Sequence, residues 1–274
     1  MKVDSVLVQS LASQISQKIN EMPTVAIILG SGLADIADNL ENKVIIKYEE
    51  LSGMPIPHVK GHKNQFVIGK MQGKQVIAMQ GRFHPYDGFS AKECALPIYI
   101  FKLLGVQTCI ITNSAGGVNL NYNAGDVMII KNHINLTGLN PLISGAIIDY
   151  GVEFVDLKDV YYKPYREIAK QISSKYNLNL KEGTFLQDLG PSYETSAEVV
   201  FFRTIGADAV SMSTVLEVIA AGQCGLKVLG LSCIANKAIS EDNEEVLTHE
   251  EVLENAKIAS NKLKIVIENF LKEI

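Results

Sequence analysis

No apolar run in the 274-residue sequence approaches the roughly 18 unbroken residues that a membrane helix requires, so neither a membrane span nor a membrane partner is expected. The opening MKVDSVLVQSLASQ has one Lys, an early Asp and a helical rather than continuous apolar pattern, which makes a poor secretory signal; a cytoplasmic protein is expected. Cys94, Cys109, Cys224 and Cys233 form no CxxC pair. They read as small core hydrophobes in a reducing compartment, and no metal site is expected. A basic cluster is missing too, and the net charge is −5, which argues against nucleic acid as the main partner. Repeats, low-complexity tracts and a Pro/Ser-rich linker are also absent, so nothing divides the chain.

What is present describes a globular α/β protein. Hydrophobic residues make up 47% and charged residues 20%, and the length fits one large core, since cores below about 250–300 residues need not split. Strand-like runs recur at Val25–Leu29, Val44–Lys47, Gln65–Ile68, Gln75–Gln80, Thr108–Thr112, Val127–Ile130, Ala209–Ser211 and Val228–Cys233. Helical periods alternate with them. Leu7, Leu11, Ile15 and Ile19 share one helical face, a helix is expected between Ser192 and Arg203, and Val215–Gln223 reads as a buried one. The C-terminal stretch keeps the helical period from Val252 to Ile274, behind a Thr248/Glu251 capping box. Asn140–Tyr162 has no period and reads as a long surface loop. The fold expected is one α/β domain around a mixed, largely parallel sheet.

Glycines follow two of the buried strands. Gly30-Ser31-Gly32 can bring backbone N–H groups and a hydroxyl to an anion, especially if a helix begins nearby and aims its dipole there. A dinucleotide fingerprint needs a third Gly or Ala where Asp35 stands, although Glu49 and Glu50 lie near the spacing of a ribose-binding acid. A triphosphate P-loop needs Gly-Lys-Ser/Thr, and no such triplet follows Gly32. Without a ligand, the same glycines make a tight strand-to-helix turn. Thr112-Asn113-Ser114-Ala115-Gly116-Gly117 implies a second close backbone approach.

Other strand ends carry polar groups of complementary chemistry. Arg82, His84 and Tyr86 alternate, so they face one side if the chain stays extended: a fork for phosphate, a second donor and a hydroxyl suited to a sugar. His62 follows a glycine in a loop and is incidental by itself. Tyr193 and Glu194 offer an aromatic face beside a carboxylate for a planar heterocycle. Alternatively, Glu194 occupies a helix first turn, where its charge contributes ~0.3–1 kcal/mol against the dipole. Ser211–Thr214 ends a strand with hydroxyls around Met212, ordinarily a core residue, and Asn236 ends another with a carboxamide that donates and accepts as a purine edge requires. Ligands gather at the carboxyl ends of strands in open α/β sheets, so these ends can line one crevice.

From about Thr24 to the end, the sequence resembles purine nucleoside phosphorylases of the small-subunit, homotrimeric type. GSGL, VKGH, QGRFHPYDG, TNSAGG, GDVMIIKNHINLTGLNPL, GPSYETSAE, GADAVSMST, ANKA and THEEV occur in the family's order. The resemblance implies a single nucleoside phosphorylase domain over 1–274 and a pentosyltransferase of purine salvage. Inorganic phosphate, a co-substrate, would cleave inosine or guanosine to the base and (deoxy)ribose 1-phosphate, with no metal or organic cofactor. Ser31, His62, Arg82, His84, Ser114 and Ser213 are the implied phosphate ligands, Ser114 mainly through its backbone N–H and His62 from a loop. Tyr86, Met212 and His249 are the implied pentose contacts, and Tyr193, Glu194 and Asn236 the base readers. His84, Glu194 and Asn236 are the implied catalytic set. Phe154 aligns with an aromatic that reaches a neighbouring subunit's pentose site.

The same resemblance places Asn236 near purine N7 and Glu194 on N1–H, a pairing that favours 6-oxopurines. A carboxylic acid at position 236 would point to 6-aminopurines and to methylthioadenosine phosphorylases, the alternative within the family. A non-catalytic dinucleotide-binding module is the alternative outside it. Departures from the family pattern are Lys63-Asn64 after His62 where GHxG is common, Ser114 for the commoner Ala, Ala235 for the usual Thr before Asn236, Leu216 for Pro, and, the largest, Ile143–Tyr162, where ISGAIIDYGVEF replaces a polar loop.

Overall fold

Short β-branched runs buried on both faces build the centre of the molecule. In the computed structural model, described over residues 3–58, 63–143, 151–238 and 249–274 with side chains for all but 249–258, nine strands join in one sheet. They are β1 (Val25–Leu29), β2 (Glu41–Lys47), β3 (Gln65–Met71), β4 (Lys74–Gln80), β5 (Thr108–Gly117), β6 (Val127–Asn135), β7 (Lys181–Gln187), β8 (Ala209–Ser211) and β9 (Lys227–Lys237). Their order is β2-β3-β4-β1-β5-β8-β7-β6-β9, with β9 also paired to β5. The last five strands therefore close into a ring, while β2, β3, β4 and β1 form an open flank. Five pairings are parallel and four antiparallel, so the sheet is mixed as expected.

Strand β5 is where the sheet splits. One edge pairs with β9 from Thr108 to Gly117. The other edge takes β1 along Thr108–Ile111 and then β8 at Gly116 and Gly117. Between these two neighbours, the edge of Thr112 to Ala115 has no partner strand among the described residues. That is a topological switch point, the place where an α/β sheet offers a crevice.

Helices cover both faces. Ala26 and Ile28 of β1 point into one core with α1 (Ser5–Ser16), α2 (Ala91–Leu103) and α5 (Val215–Gln223). Val25, Ile27 and Leu29 point into the other, with α3 (Lys163–Lys175) and α6 (His249–Glu273). This alternation is the two-residue period of a strand. Each Ile or Leu fully buried there contributes about 1.5–3 kcal/mol, so core packing, rather than the loops, fixes where the strand ends stand. Helix α4 (Ser196–Thr204) packs Val199 and Phe202 on Leu186 and Val210 in a smaller cluster.

Several expectations need correction. Ile19 lies beyond the end of α1, although it still packs against the same core. Strand β7 and helices α2 and α3 have no counterpart in the sequence reading; α2 is apolar nearly all round, so it shows little helical periodicity. The Asn140–Tyr162 segment is not wholly a surface loop, because Val160 and Tyr161 are buried and Tyr161 bridges to Val228. The Thr248/Glu251 capping box lies outside the described side chains. Val215–Gln223 is a buried helix, and all four cysteines are buried and free, both as expected.

Candidate active site

The turn after β1 fills the split in the sheet. Gly30 has no room for a side chain: a Cβ there would lie 2.7 Å from Asn113 Cα. Its backbone N–H donates to Thr112 Oγ1 (3.1 Å), and that hydroxyl donates to the Ile28 carbonyl (3.0 Å). The Ser114 hydroxyl donates to the Ser31 carbonyl (2.8 Å), and the Ser211 hydroxyl to the Ser114 carbonyl (2.7 Å). Three strand ends are thus tied by side-chain hydrogen bonds where no ladder runs. The helix that follows is only a six-residue 3-10 turn, Ala34–Asn39, so the dipole of a full α-helix is not what the GSG turn offers.

Arg82 stands behind this junction and is only 2% exposed. Its Nε and Nη2 donate to the two carboxylate oxygens of Glu217 (3.2 and 2.8 Å), and its Nη1 donates to the Thr112 carbonyl (2.7 Å) and Ser213 Oγ (3.2 Å). Burial pushes the Glu217 carboxyl up, and the Arg82 charge opposes that shift. Beside Ser213, Thr214 holds φ 91°, a region that side-chain-bearing residues rarely adopt, and Asn113 Nδ2 donates to its hydroxyl (2.9 Å). The first N–H of α5, on Val215, donates to Gln187 Oε1 (2.7 Å) and is therefore already satisfied. Past the end of β4, the His84 and Tyr86 rings stack with centroids 4.6 Å apart. Burial pushes the Tyr86 hydroxyl up to about 12, so it stays a phenol able to donate.

The opposite wall comes from the chain after β7 and the end of β9. Gly190, at φ 62° and joined to Pro191 by a cis bond, presses so closely on Met212 that a Cβ would run into the sulfur. Tyr193 follows, 43% exposed as a residue, and Glu194 sits half-buried beside it. Burial first, and then the nearby Asp188 and Glu198 carboxylates, lift Glu194 to about 7. Asp188 itself is raised to about 6, chiefly by burial. Glu194 is not in a helix first turn: Thr195 caps α4 and Glu198 completes the capping box. On β9, the register with β5 shifts so that Ala115 faces Ile234 and Gly116 faces Asn236. Ala235 is the extra residue of that bulge, and such a bulge re-aims the side chain that follows. Asn236 Nδ2 donates to the Lys237 carbonyl (3.1 Å), which leaves its second N–H and its carbonyl oxygen for a ligand.

One cleft gathers most of the residues singled out from sequence. Ser31, Arg82, His84, Tyr86, Ser114, Tyr193, Glu194, Met212, Ser213 and Asn236 all line it. Arg82, His84 and Tyr86 reach it although the chain is not extended throughout, because a 3-10 turn begins at Pro85. Met212 lines the cleft rather than the core. Phe154 does not line it; it is 89% exposed on this chain. His62 lies outside the described residues, and His249 opens α6 with its side chain outside them. Sequence reasoning assigned no role to Val210, which lines the cleft, or to Glu217 behind it. An apolar β8 residue and a helix-borne Glu look like ordinary core and surface positions in a single sequence.

Comparison with known proteins agrees with this geometry. Residues 24–272 match the phosphorylase superfamily. Purine nucleoside phosphorylase 1 of Bacillus subtilis (strain 168) is 45% identical over 260 residues, covering 94% of this chain and 96% of that protein. The purine nucleoside phosphorylase of Rattus norvegicus is 39% identical over 274 residues, covering 97% and 94%. Among solved structures, Schistosoma mansoni purine nucleoside phosphorylase in complex with inosine superposes with a TM-score of 0.95 at 32% identity, covering 100% of this chain and 98% of that one. With ten candidate residues in one cleft and relatives matched over nearly their full length, this chain belongs to the phosphorylase superfamily, as one of its purine nucleoside phosphorylases.

Proposed function

We propose that this cleft catalyses phosphorolysis of 6-oxopurine nucleosides, inosine and guanosine, with inorganic phosphate as co-substrate and no metal or organic cofactor. The observation that carries the reading is that Ser31, Arg82, Ser114 and Ser213 meet at the split in the sheet while Tyr193 and Glu194, from the chain after β7, and Asn236, from the end of β9, face the same cleft. Schistosoma homologues solved with inosine, hypoxanthine, guanosine and adenosine support purine nucleosides as the substrate class, and the choice of 6-oxopurines rests on Glu194 and Asn236.

The chemistry follows from where charge develops. As the C1′–N9 bond breaks, positive charge grows on the pentose and the bonding electrons pass to the purine, so catalysis must stabilise both. Phosphate, held by Ser31, Arg82, His84 and Ser213 with the Ser114 backbone N–H, offsets the first charge and forms the new C1′–O bond. Asn236 donates to N7 as it gains electrons, and Glu194 as a carboxylate accepts from N1–H. Tyr86 and Met212 contact the pentose between them, Tyr193 stacks on the base, and His62 and His249 take the phosphate-loop and pentose roles that the resemblance gives them. Phe154 reaches the neighbouring pentose site in a homotrimer, which suits a ring left 89% exposed. Four free thiols suit a cytoplasmic setting.

A panel of nucleosides assayed with and without phosphate tests the reading. Hypoxanthine should be released from inosine only when phosphate is present. Phosphate-independent release, or turnover of methylthioadenosine alone, would reject it.

A further inference from the structure

Glu217 is not part of the cleft wall, yet it governs a residue that is. It occupies the third position of α5, just after Ser213 and Thr214, and both it and Arg82 are 2% exposed. A guanidinium has five N–H donors. Four of Arg82's contacts are already fixed: two on the Glu217 carboxylate, one on the Thr112 carbonyl and one on Ser213 Oγ. What remains for an incoming anion is an N–H on Nη2, with the direction of the whole fork set from behind. Charge is constrained as well as direction. An uncompensated guanidinium in a buried setting would attract a phosphate dianion strongly, and a carboxylate 2.8 Å from Nη2 cancels much of that attraction.

We infer that Glu217 is a positioning residue for phosphorolysis: it fixes the Arg82 fork and neutralises it, so that phosphate is held by directed hydrogen bonds and still exchanges between turnovers. The inference rests on the assignment of Arg82 to phosphate. A purely structural ion pair would lose stability on substitution without distinguishing the two substrates. A positioning pair treats phosphate and nucleoside differently.

Two substitutions separate charge from reach. Glu217→Gln removes the compensating charge and keeps one of the two acceptors on the fork; with the charge outweighing the lost hydrogen bond, calorimetric titration with inorganic phosphate should show the phosphate Kd falling about tenfold, with the inosine KM changed by less than about twofold. Glu217→Asp keeps the charge but withdraws it by one methylene; the phosphate KM should rise about tenfold at a near-constant inosine KM. Weakened or unchanged phosphate binding in the Gln variant overturns the inference. If that variant does not fold, Asp decides: both KM values moving together, or neither moving, overturns it. Arg82→Ala, measured alongside, identifies which statement fails. If it binds phosphate like the wild type, the phosphate site is misassigned and the inference falls with it. If it loses phosphate while the Glu217 variants behave as wild type, only the role of Glu217 is rejected.

Discussion

Asn113 and Thr214, 101 residues apart, are joined by a 2.9 Å hydrogen bond that holds Thr214 at φ 91° beside Ser213. The bond links the split edge of β5 to the start of α5, so the placement of the Ser213 hydroxyl depends on a residue that does not itself face the cleft. Asn113→Ala should cost about 1–3 kcal/mol of stability, the usual cost of breaking a buried polar contact. The phosphate KM should rise more than the inosine KM. Urea unfolding with an unchanged midpoint would reject this relationship.

Gly30 is required by contact, not by its backbone angle. The nearest obstacle to a Cβ is the Asn113 backbone at 2.7 Å, which cannot rotate aside as a side chain would. Gly30→Ala should lose about 1–3 kcal/mol, as overpacking does, and raise the phosphate KM by displacing Ser31. A variant with wild-type melting temperature and phosphate kinetics would show that the turn has slack.

Glu194 gives a pH dependence of defined sign. Its folded-state value of about 7 lies above the ordinary 4.5, so between those values the folded protein holds the extra proton. Its contribution to stability is complete below the ordinary value and is lost as pH rises through about 7. Base capture runs the other way, because only the carboxylate accepts N1–H. Inosine kcat/KM should therefore climb as pH rises through about 7, while this residue's share of the unliganded protein's thermal stability declines. In Glu194→Gln both trends should flatten, and a pH profile indistinguishable from wild type would remove Glu194 from the base site.

Asn236 follows a bulge residue that carries no hydroxyl, Ala235, and its amide is steadied by the Lys237 carbonyl. Asn236→Asp should move the specificity ratio from inosine toward adenosine, since an acid can deliver a proton toward N7 of a 6-aminopurine. Unmoved ratios in a competitive assay would refute the base-reading role.

Phe154 should matter only to a neighbour. Phe154→Ala should raise the inosine KM and leave the phosphate KM and the melting temperature nearly unchanged, because the ring packs against little of its own chain. Sedimentation of the wild type as a monomer would contradict a shared site.

Much of this was legible in sequence because the signals are local. Val25–Leu29 is a continuous apolar run, Gly30 and Gly32 mark the turn, and Val215–Gln223 is apolar between polar ends. Strand β7, KEGTFLQ, opens with Lys, Glu and Gly and gives little β-branched signal, while Pro97 and an all-round apolar surface hide α2. The partners of the site residues were less visible still. Arg82 and Glu217 lie 135 residues apart, and no periodicity joins them. For Glu194 the sequence leaves a base-reading carboxylate and a helix first-turn acid both open, and the second fails because α4 begins only after Thr195 and Glu198, four residues on, completes its capping box.

The split beside Thr112–Ala115 also bears on how the molecule holds together. Among the described residues, the open flank β2-β3-β4-β1 joins the closed ring through β5 alone, as far as strand pairing goes. Ser31 belongs to the flank side and Ser213 to the ring side, so a phosphate held by both would add a further fastening to the Arg82–Glu217, Arg82–Ser213 and Ser114–Ser31 bonds. The anion would then act as a rivet as well as a reactant. Saturating phosphate would stabilise the fold by about 2.7 kcal/mol at a hundredfold excess over Kd, and flank and ring would melt together.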